Sequence, residues 1–325
     1  MDKLEKTVLK TIDRHKMIKE GCTVIAAVSG GFDSVCMLSA LLRLKRLRKF
    51  TLCVAHLNHS FRHDSDDDEK YVIDLCEKWG IKIYTKKMNV EKYASLNKIS
   101  FETAGRNVRY EFLNSLTGSI PNSVIATGHN ANDNAESIIM HLLRGCGLGG
   151  LTGIKAVRGN IIRPLIEVKR SDIERYCEKN QLLPRTDYTN FDDIYTRNDI
   201  RLNVMPHIAK RGGVEAIIKT SNLLSVDEDF LCKHTKLVFK SYVAVNKNTL
   251  TIKISDFNLL HLSIKRRLLK YILQKSDKEI GLVHIDSIIS IAQKNYGGKR
   301  VPLPGGSFAA VEKGNLIIVT KGAYI

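Results

Sequence analysis

The 325-residue chain carries 51 Lys+Arg against 34 Asp+Glu, a formal charge of +17 with an isoelectric point near 9.5. Such an excess points to a polyanionic partner, nucleic acid first, although a genome biased towards Lys, Ile and Asn yields it as well. At 43% hydrophobic residues the length suits two domains, or a large one with an appendage, and no apolar run reaches the roughly 18 residues of a membrane span.

Residues 1–19 read as an amphipathic helix with Leu4, Val8 and Ile12 on one face. A buried strand at 23–28 precedes a helix at about 34–48, and TLCVAHL (51–57) is a second strand. The segment DSDDDEKYVIDLCEKWG (64–80) is a helix with an acidic start and Gly80 at its end. IKIYTKKM is a third strand, 101–117 a helix, SVIATGH (123–129) a fourth strand, and a helix follows to about 143. This alternation predicts an α/β domain on a parallel sheet. Beyond it come a strand at 161–166, a helix at SDIERYCEKN with Ser171 and Glu174 at capping-box spacing, and a helical pattern over 196–210. A domain boundary is expected near 213, then a long helical stretch and, at the end, short strands around VPLPGGSFAAVEKGNLIIV. The seven cysteines include no C-x-x-C pair, so neither zinc nor iron–sulfur ligation is expected. Their odd number and the lack of a signal peptide indicate a reducing, cytoplasmic setting.

The hexapeptide SGGFDS (29–34) joins the first strand to its helix. Gly30 and Gly31 accept positive φ and let N–H groups approach an anion, the helix adds its dipole, and Ser29 and Ser34 supply hydroxyls. This cradle suits pyrophosphate. There is no Walker lysine. Asp33 stands in the turn instead, and a carboxylate there needs Mg2+ or a cationic group bound beside the phosphates. A strand–helix turn with a capping Ser or Asp produces the same pattern without any ligand. His56, His59 and His129 lie at strand C-termini, where open α/β sheets bind ligands, and Arg106 and Arg109 share one helix face at i, i+3.

SGGFDS resembles the signature of PP-loop ATP pyrophosphatases, which cleave ATP between the α and β phosphates, adenylate a substrate and let a nucleophile displace AMP. AHLNHSFR (55–62), GRNVRYEF (105–112), ATGHNANDNAES (126–137), LRGCGLGGLTGI (143–154), RPLI (163–166) and DYTNFDDIYTRNDIR (187–201) follow. In this order they are similar to the tRNA(Ile)-lysidine synthetase family across nearly the whole chain. LRGxGxxGLxGI and TRNxIR are the more specific segments. The resemblance implies a PP-loop (adenine nucleotide alpha hydrolase-like) catalytic domain at 1–213 and a smaller, mainly helical domain at 214–325 ending in short strands. It implies ATP-dependent ligation of L-lysine to C2 of the first anticodon cytidine of the CAU-anticodon isoleucine tRNA, through an adenylated tRNA, with release of AMP and pyrophosphate.

Site roles follow in the same way. ATP contacts are expected from Ser29, Gly30, Gly31, Phe32, Asp33, Ser34, His56, Asn58 and His129. Catalytic roles are expected for Asp33, Asp133, Glu136 and Arg109, with Mg2+ at Asp33 and Asp133. Contacts to tRNA or phosphate are expected from Arg62, Arg106, Arg197 and Arg201, and from the basic cluster Lys265, Arg266 and Arg267.

One departure stands out. Where the family shows two histidines and two adjacent aspartates, this chain has His129-Asn130-Ala131-Asn132-Asp133. Asp133 and Glu136 remain at i, i+3, placed for Mg2+ or the substrate ammonium. Gly145, Gly147 and Gly150 spell G-x-G-x-x-G after a helix rather than a strand, which excludes a dinucleotide fingerprint and suggests a flexible loop over the site. The acidic run 64–69 reads as a helix N-terminus rather than a metal site. Two other readings stand beside this one. One is a PP-loop tRNA thiolation enzyme, which would use cysteine pairs; the other is an inactive RNA-binding relative, favoured only by Asn130 and Asn132. The half beyond 213 is expected to bind tRNA without taking part in the chemistry. Only one appended domain is expected, since the chain stops just after NLIIV. Assembly as a homodimer is left open.

Overall fold

The computed structural model describes residues 1–60, 65–185, 196–274, 280–295 and 297–320. The chain divides into two compact units, Met1–Leu223 and Leu224–Ile325. The expected boundary coincides with the start of a helix at Gly213, and the divide itself lies within that helix.

The first unit opens with helix α1 (Lys3–Arg14), strand β1 (Thr23–Ala27), α2 (Phe32–Arg48), β2 (Thr51–Asn58), α3 (Ser65–Trp79) and β3 (Lys82–Lys87). It continues with α4 (Val90–Asn97), α5 (Phe101–Ser119), β4 (Ser123–Ala126), α6 (Ala131–Leu143) and α7 (Leu148–Leu151). Then come β5 (Val157–Arg158), β6 (Ile161–Ile162), α8 (Arg170–Lys179), α9 (Thr196–Asp199), a π-helical turn at Ile200–Val204, α10 (Met205–Ala209) and α11 (Gly213–Tyr242). The sheet runs β3-β2-β1-β4-β6-β5, parallel except for β5. β1 is central because Val24, Ile25 and Ala26 are apolar on both faces and wholly buried, as a parallel strand covered by helices requires. The chain leaves β1 towards β2 on one side and returns to β4 on the other. The crevice for a ligand therefore opens at the C-terminal ends of β1 and β4.

Three details depart from the sequence reading. The strand expected at 161–166 is only two residues long. α4, whose N-cap is Asn89, was not anticipated. α8 starts at Arg170 behind Lys169, with no side-chain cap, so Ser171 and Glu174 form no capping box.

The second unit takes the C-terminal part of α11, then β7 (Ala244–Asn246), β8 (Thr249–Lys253), α12 (Ile254–Leu259), α13 (Leu262–Leu273) and α14 (Leu282–Gln293). It ends with β9 (Arg300–Pro302), a 3₁₀ turn, β10 (Phe308–Glu312) and β11 (Asn315–Val319). Its antiparallel sheet runs β7-β8-β11-β10-β9. Phe257, Leu268, Ile272, Ile288, Leu316 and Ile318 form the centre of its core. The basic cluster expected to contact tRNA lies on α13 and is held within the unit. Lys265 is 6% exposed and donates to the Asn258 carbonyl at 2.9 Å. Arg266 grips both oxygens of Asp286 at 3.0 and 3.2 Å, and Arg267 those of Glu228 at 2.9 and 2.6 Å. Each cation of this triplet, expected at phosphates, thus has a partner within the unit.

Candidate active site

Between β1 and α2 the chain turns at Gly30, whose φ of +95° lies in the region that glycine tolerates. Gly31, expected to share that freedom, is extended (φ −77°, ψ 167°) and serves as the N-cap of α2 without a side-chain cap. The first N–H groups of α2 are thus left for an anion. The Ser34 hydroxyl folds back, donating to the Gly31 carbonyl at 2.9 Å and accepting from the Ser29 N–H at 3.2 Å. Gly128, just past β4, approaches this loop so closely that a Cβ there would sit 3.2 Å from the Asp33 carbonyl carbon. The two strand ends are brought together by this contact.

Asp33 stands at their meeting point. Its Oδ1 accepts from Asn130 Nδ2 at 2.9 Å and its Oδ2 from Arg170 Nη1 at 3.1 Å. Burial lifts its carboxyl from 3.8 to about 6; Arg170 opposes the shift and the nearby Asp133 charge reinforces it. Asn130 also caps α6, accepting from the N–H groups of Asn132 and Asp133 at 2.8 and 3.1 Å. Asn132 accepts the Arg170 N–H at 3.0 Å. Both residues that depart from the family pattern therefore hold the site together.

One turn further, Asp133 and Glu136 face Arg197 and Arg201, which stand four residues apart across α9 and the π-helical turn. Arg201 Nε and Nη2 reach Glu136 at 2.9 and 3.0 Å, and Nη2 also reaches Asp133 at 3.0 Å. Arg197 adds bonds of 3.2 Å to Glu136 and 3.3 Å to Asp133. Glu136 is 3% exposed, so its carboxylate is shielded from solvent, while the Arg197 and Arg201 side chains are 36% and 30% exposed. The remaining Asp133 oxygen accepts the Asn130 N–H at 2.9 Å.

The far side of the cleft is cationic. His129 accepts or donates at 3.0 Å with Thr127 Oγ1, and burial together with Arg163, Arg197, Arg109 and Arg106 drives its pKa from 6.5 to about 3. It is a neutral imidazole throughout the physiological range. Arg163 is 4% exposed; its Nη1 donates to the Lys155 carbonyl at 2.6 Å, while its buried Nε has no partner. Arg106 lies 5.2 Å over the Tyr110 ring. Arg109 is solvent-accessible yet surrounded by protein, whose desolvation lowers its pKa. No ion pair joins Arg106, Arg109 or Arg163 to a carboxylate among the described residues.

Comparison with known proteins places this geometry. The PP-loop domain family matches residues 2–208. The tRNA(Ile)-lysidine synthase of Clostridium acetobutylicum is 40% identical over 97% of this chain and 69% of its own length. The chain belongs to the tRNA(Ile)-lysidine synthase family. The synthase of Clostridioides difficile is 38% identical, over 97% of this chain and 70% of its own. A tRNA thiolase from Methanococcus maripaludis shares the fold, with a TM-score of 0.57 at 19% identity over 68% of this chain and 78% of its own.

Against that family the other expected residues fall unevenly. His56 is 3% exposed, bonds the Val28 carbonyl through Nδ1 at 2.8 Å, and has a buried, unpartnered Nε2. Asn58 is not so placed. Its amide donates to Asp66 and Glu69 at 2.8 and 2.7 Å and its oxygen accepts from Ser60, so it ties β2 to the start of α3 and has no donor left for ATP. Phe32 packs into the core and carries the Arg170 guanidinium 5.8 Å above its ring. Arg62 lies outside the described residues. Arg197 and Arg201, expected at phosphates, are the counter-ions of Asp133 and Glu136. The segment expected as a flexible loop carries the short helix α7. Its Ile154 N–H donates to Asn134 at 2.6 Å, and its Thr152 carbonyl accepts from Ser221 at 2.9 Å. Gly153 is obligatory, because a Cβ would fall 2.0 Å from Asn134 Oδ1. Sequence reasoning missed Arg163 and Arg170; the first stood within RPLI, the second beside a misread helix start.

Asp33 and Asp133 are the carboxylates at this crevice that would hold Mg2+. Mg2+ binds through one or two carboxylates and substrate phosphates rather than an all-protein cage, and no group of three metal-ligating side chains exists among the described residues. The raised carboxyl of Asp33 beside Asp133 is the state that a cation would relieve.

Proposed function

We propose that this chain ligates L-lysine to C2 of the first anticodon cytidine of the CAU-anticodon isoleucine tRNA, using ATP. The observation that carries this is the meeting of the phosphate cradle, Asp33 and the Asp133–Glu136 pair at one crevice, in a chain of this family. The uncapped start of α2 and the Gly30–Ser34 loop receive the β- and γ-phosphates. The cytosine O2 attacks the α-phosphorus and pyrophosphate departs. The lysine ε-amine then attacks C2, the C2–O bond breaks with AMP as leaving group, and the amine loses a proton, for which Asp133 and Glu136 are the bases in the site. Asp33 and Asp133 would hold Mg2+, which when bound supplies positive charge to the phosphate oxygens.

The substrate ammonium is read by carboxylates that here bind Arg197 and Arg201, so lysine enters by exchanging one cation for another. The cationic side formed by Arg106, Arg109 and Arg163 suits the phosphates of an everted anticodon nucleotide, and neutral His129 suits an uncharged base. The unit Leu224–Ile325 is read as a tRNA-binding domain whose contacts come from groups other than Lys265, Arg266 and Arg267. Asn130 and Asn132 do not support an inactive relative, because they orient Asp33 and Arg170.

Incubation with ATP, labelled lysine and bulk tRNA tests the proposal. Label on the first anticodon cytidine of the CAU tRNA upholds it. ATP–pyrophosphate exchange without lysine transfer would point to another PP-loop modifier, and no ATP turnover with any tRNA to an inactive relative.

A further inference from the structure

The phosphate loop lacks a lysine of its own, yet the fold delivers a cation to its mouth from 137 residues away. Arg170 is the first residue of α8, where the helix dipole adds positive potential. Three contacts aim it. Its N–H is held by Asn132 at 3.0 Å, its Nε by Glu174 at 2.9 Å, and its guanidinium lies over Phe32 inside the SGGFDS loop. Nη1 reaches Asp33 at 3.1 Å, the side chain is 40% exposed, and Nη2 donates to none of the described residues.

We propose that Arg170 binds the pyrophosphate half of ATP and stabilises it as a leaving group, resting on the PP-loop reading above. In the structure Asp33 serves as the stand-in anion for this fork. Phosphates arriving over the loop repel the carboxylate and attract the guanidinium, which turns from Asp33 to the β- and γ-phosphate oxygens. Charge builds on those oxygens as the bond to the α-phosphorus breaks, and a planar fork already aimed at them matches that change. The competing account is that Arg170 only staples α8 to α2.

The two accounts differ in which ligand is lost. Calorimetric titration of the full chain with pyrophosphate in the presence of Mg2+, and separately with AMP, would be run on wild type, Arg170→Ala, Arg170→Lys and Glu174→Gln. The expected result is a loss of at least about tenfold in pyrophosphate affinity for Arg170→Ala, partial recovery in Arg170→Lys, and unchanged AMP affinity. Glu174→Gln weakens one of the contacts that aim Arg170 and should lower pyrophosphate affinity by a smaller factor than Arg170→Ala does. Unchanged pyrophosphate affinity in Arg170→Ala, or an equal loss of AMP and pyrophosphate, overturns the proposal. A wild type that binds neither ligand overturns the proposed ATP-dependent activity and this proposal with it. Should Arg170→Ala not fold, Arg170→Gln, which keeps part of the aliphatic stem but not the guanidinium, carries the same test.

Discussion

Two basic clusters in this chain meet opposite fates. In the first unit Arg106, Arg109 and Arg163 gather around a neutral histidine with no ion-paired carboxylate among the described residues. In the second unit Lys265, Arg266 and Arg267 stand side by side in sequence, yet each has a carbonyl or carboxylate of its own. A positive charge that already has an internal anion meets a polyanion only by sharing or exchanging that partner, whereas one without such an anion needs no exchange. Density of Lys and Arg along the chain does not report that. Burying Arg163 without a counter-ion is costly unless a ligand completes it, whereas the α13 triplet serves its own unit.

The comparison can be broken or sharpened experimentally. The largest effect is expected at the carboxylate on which the site converges. Asp33→Asn should leave the fold intact and reduce turnover by about 2–4 kcal/mol in transition-state terms; activity within about threefold of wild type would remove Asp33 from the chemistry. Next comes the paired cluster. Arg267→Glu places two acids together where a part-buried fork now binds Glu228, and about 1–3 kcal/mol of stability should be lost by denaturant titration. The same variant should keep wild-type tRNA affinity at low salt, and a large loss there, in folded protein, would restore the cluster to the RNA surface. In the unpaired cluster Arg109→Ala should do the reverse, lowering tRNA affinity about tenfold and the salt slope by about one, with little change in melting temperature. Glu136→Gln should raise the KM for lysine more than that for ATP; a change confined to ATP would assign Glu136 to the nucleotide site.

The smallest effects concern pH. Asp33 has a folded pKa raised to about 6, so its contribution to stability is fully present below about 3.8 and is lost as pH rises through 6. His129, lowered to about 3, contributes stability above about 6.5 that is lost as pH falls towards 3. Between pH 7 and 5 the two oppose each other. Melting temperatures of Asp33→Asn should therefore fall more steeply on acidification than those of wild type, and those of His129→Asn less steeply. Parallel curves for all three would contradict both shifts.

Much of this molecule was determined by its sequence alone. The alternation of apolar strands and amphipathic helices specified a parallel sheet, SGGFDS marked the phosphate turn, and the i, i+3 spacing of Asp133 and Glu136 put both acids on one face of α6. These are local properties, set by periodicity, turn chemistry and the pitch of a helix, and they survive without knowledge of distant segments. Tertiary structure alone decided which charge meets which. Arg170 finds Asp33 across 137 residues, Arg197 and Arg201 find Asp133 and Glu136 across more than 60, and Asn58 is claimed by Asp66 and Glu69. Ion pairs and hydrogen bonds hold over only a few ångströms. A residue's role in them is therefore fixed by what the fold packs beside it, and neither its type nor its neighbours in the chain record that.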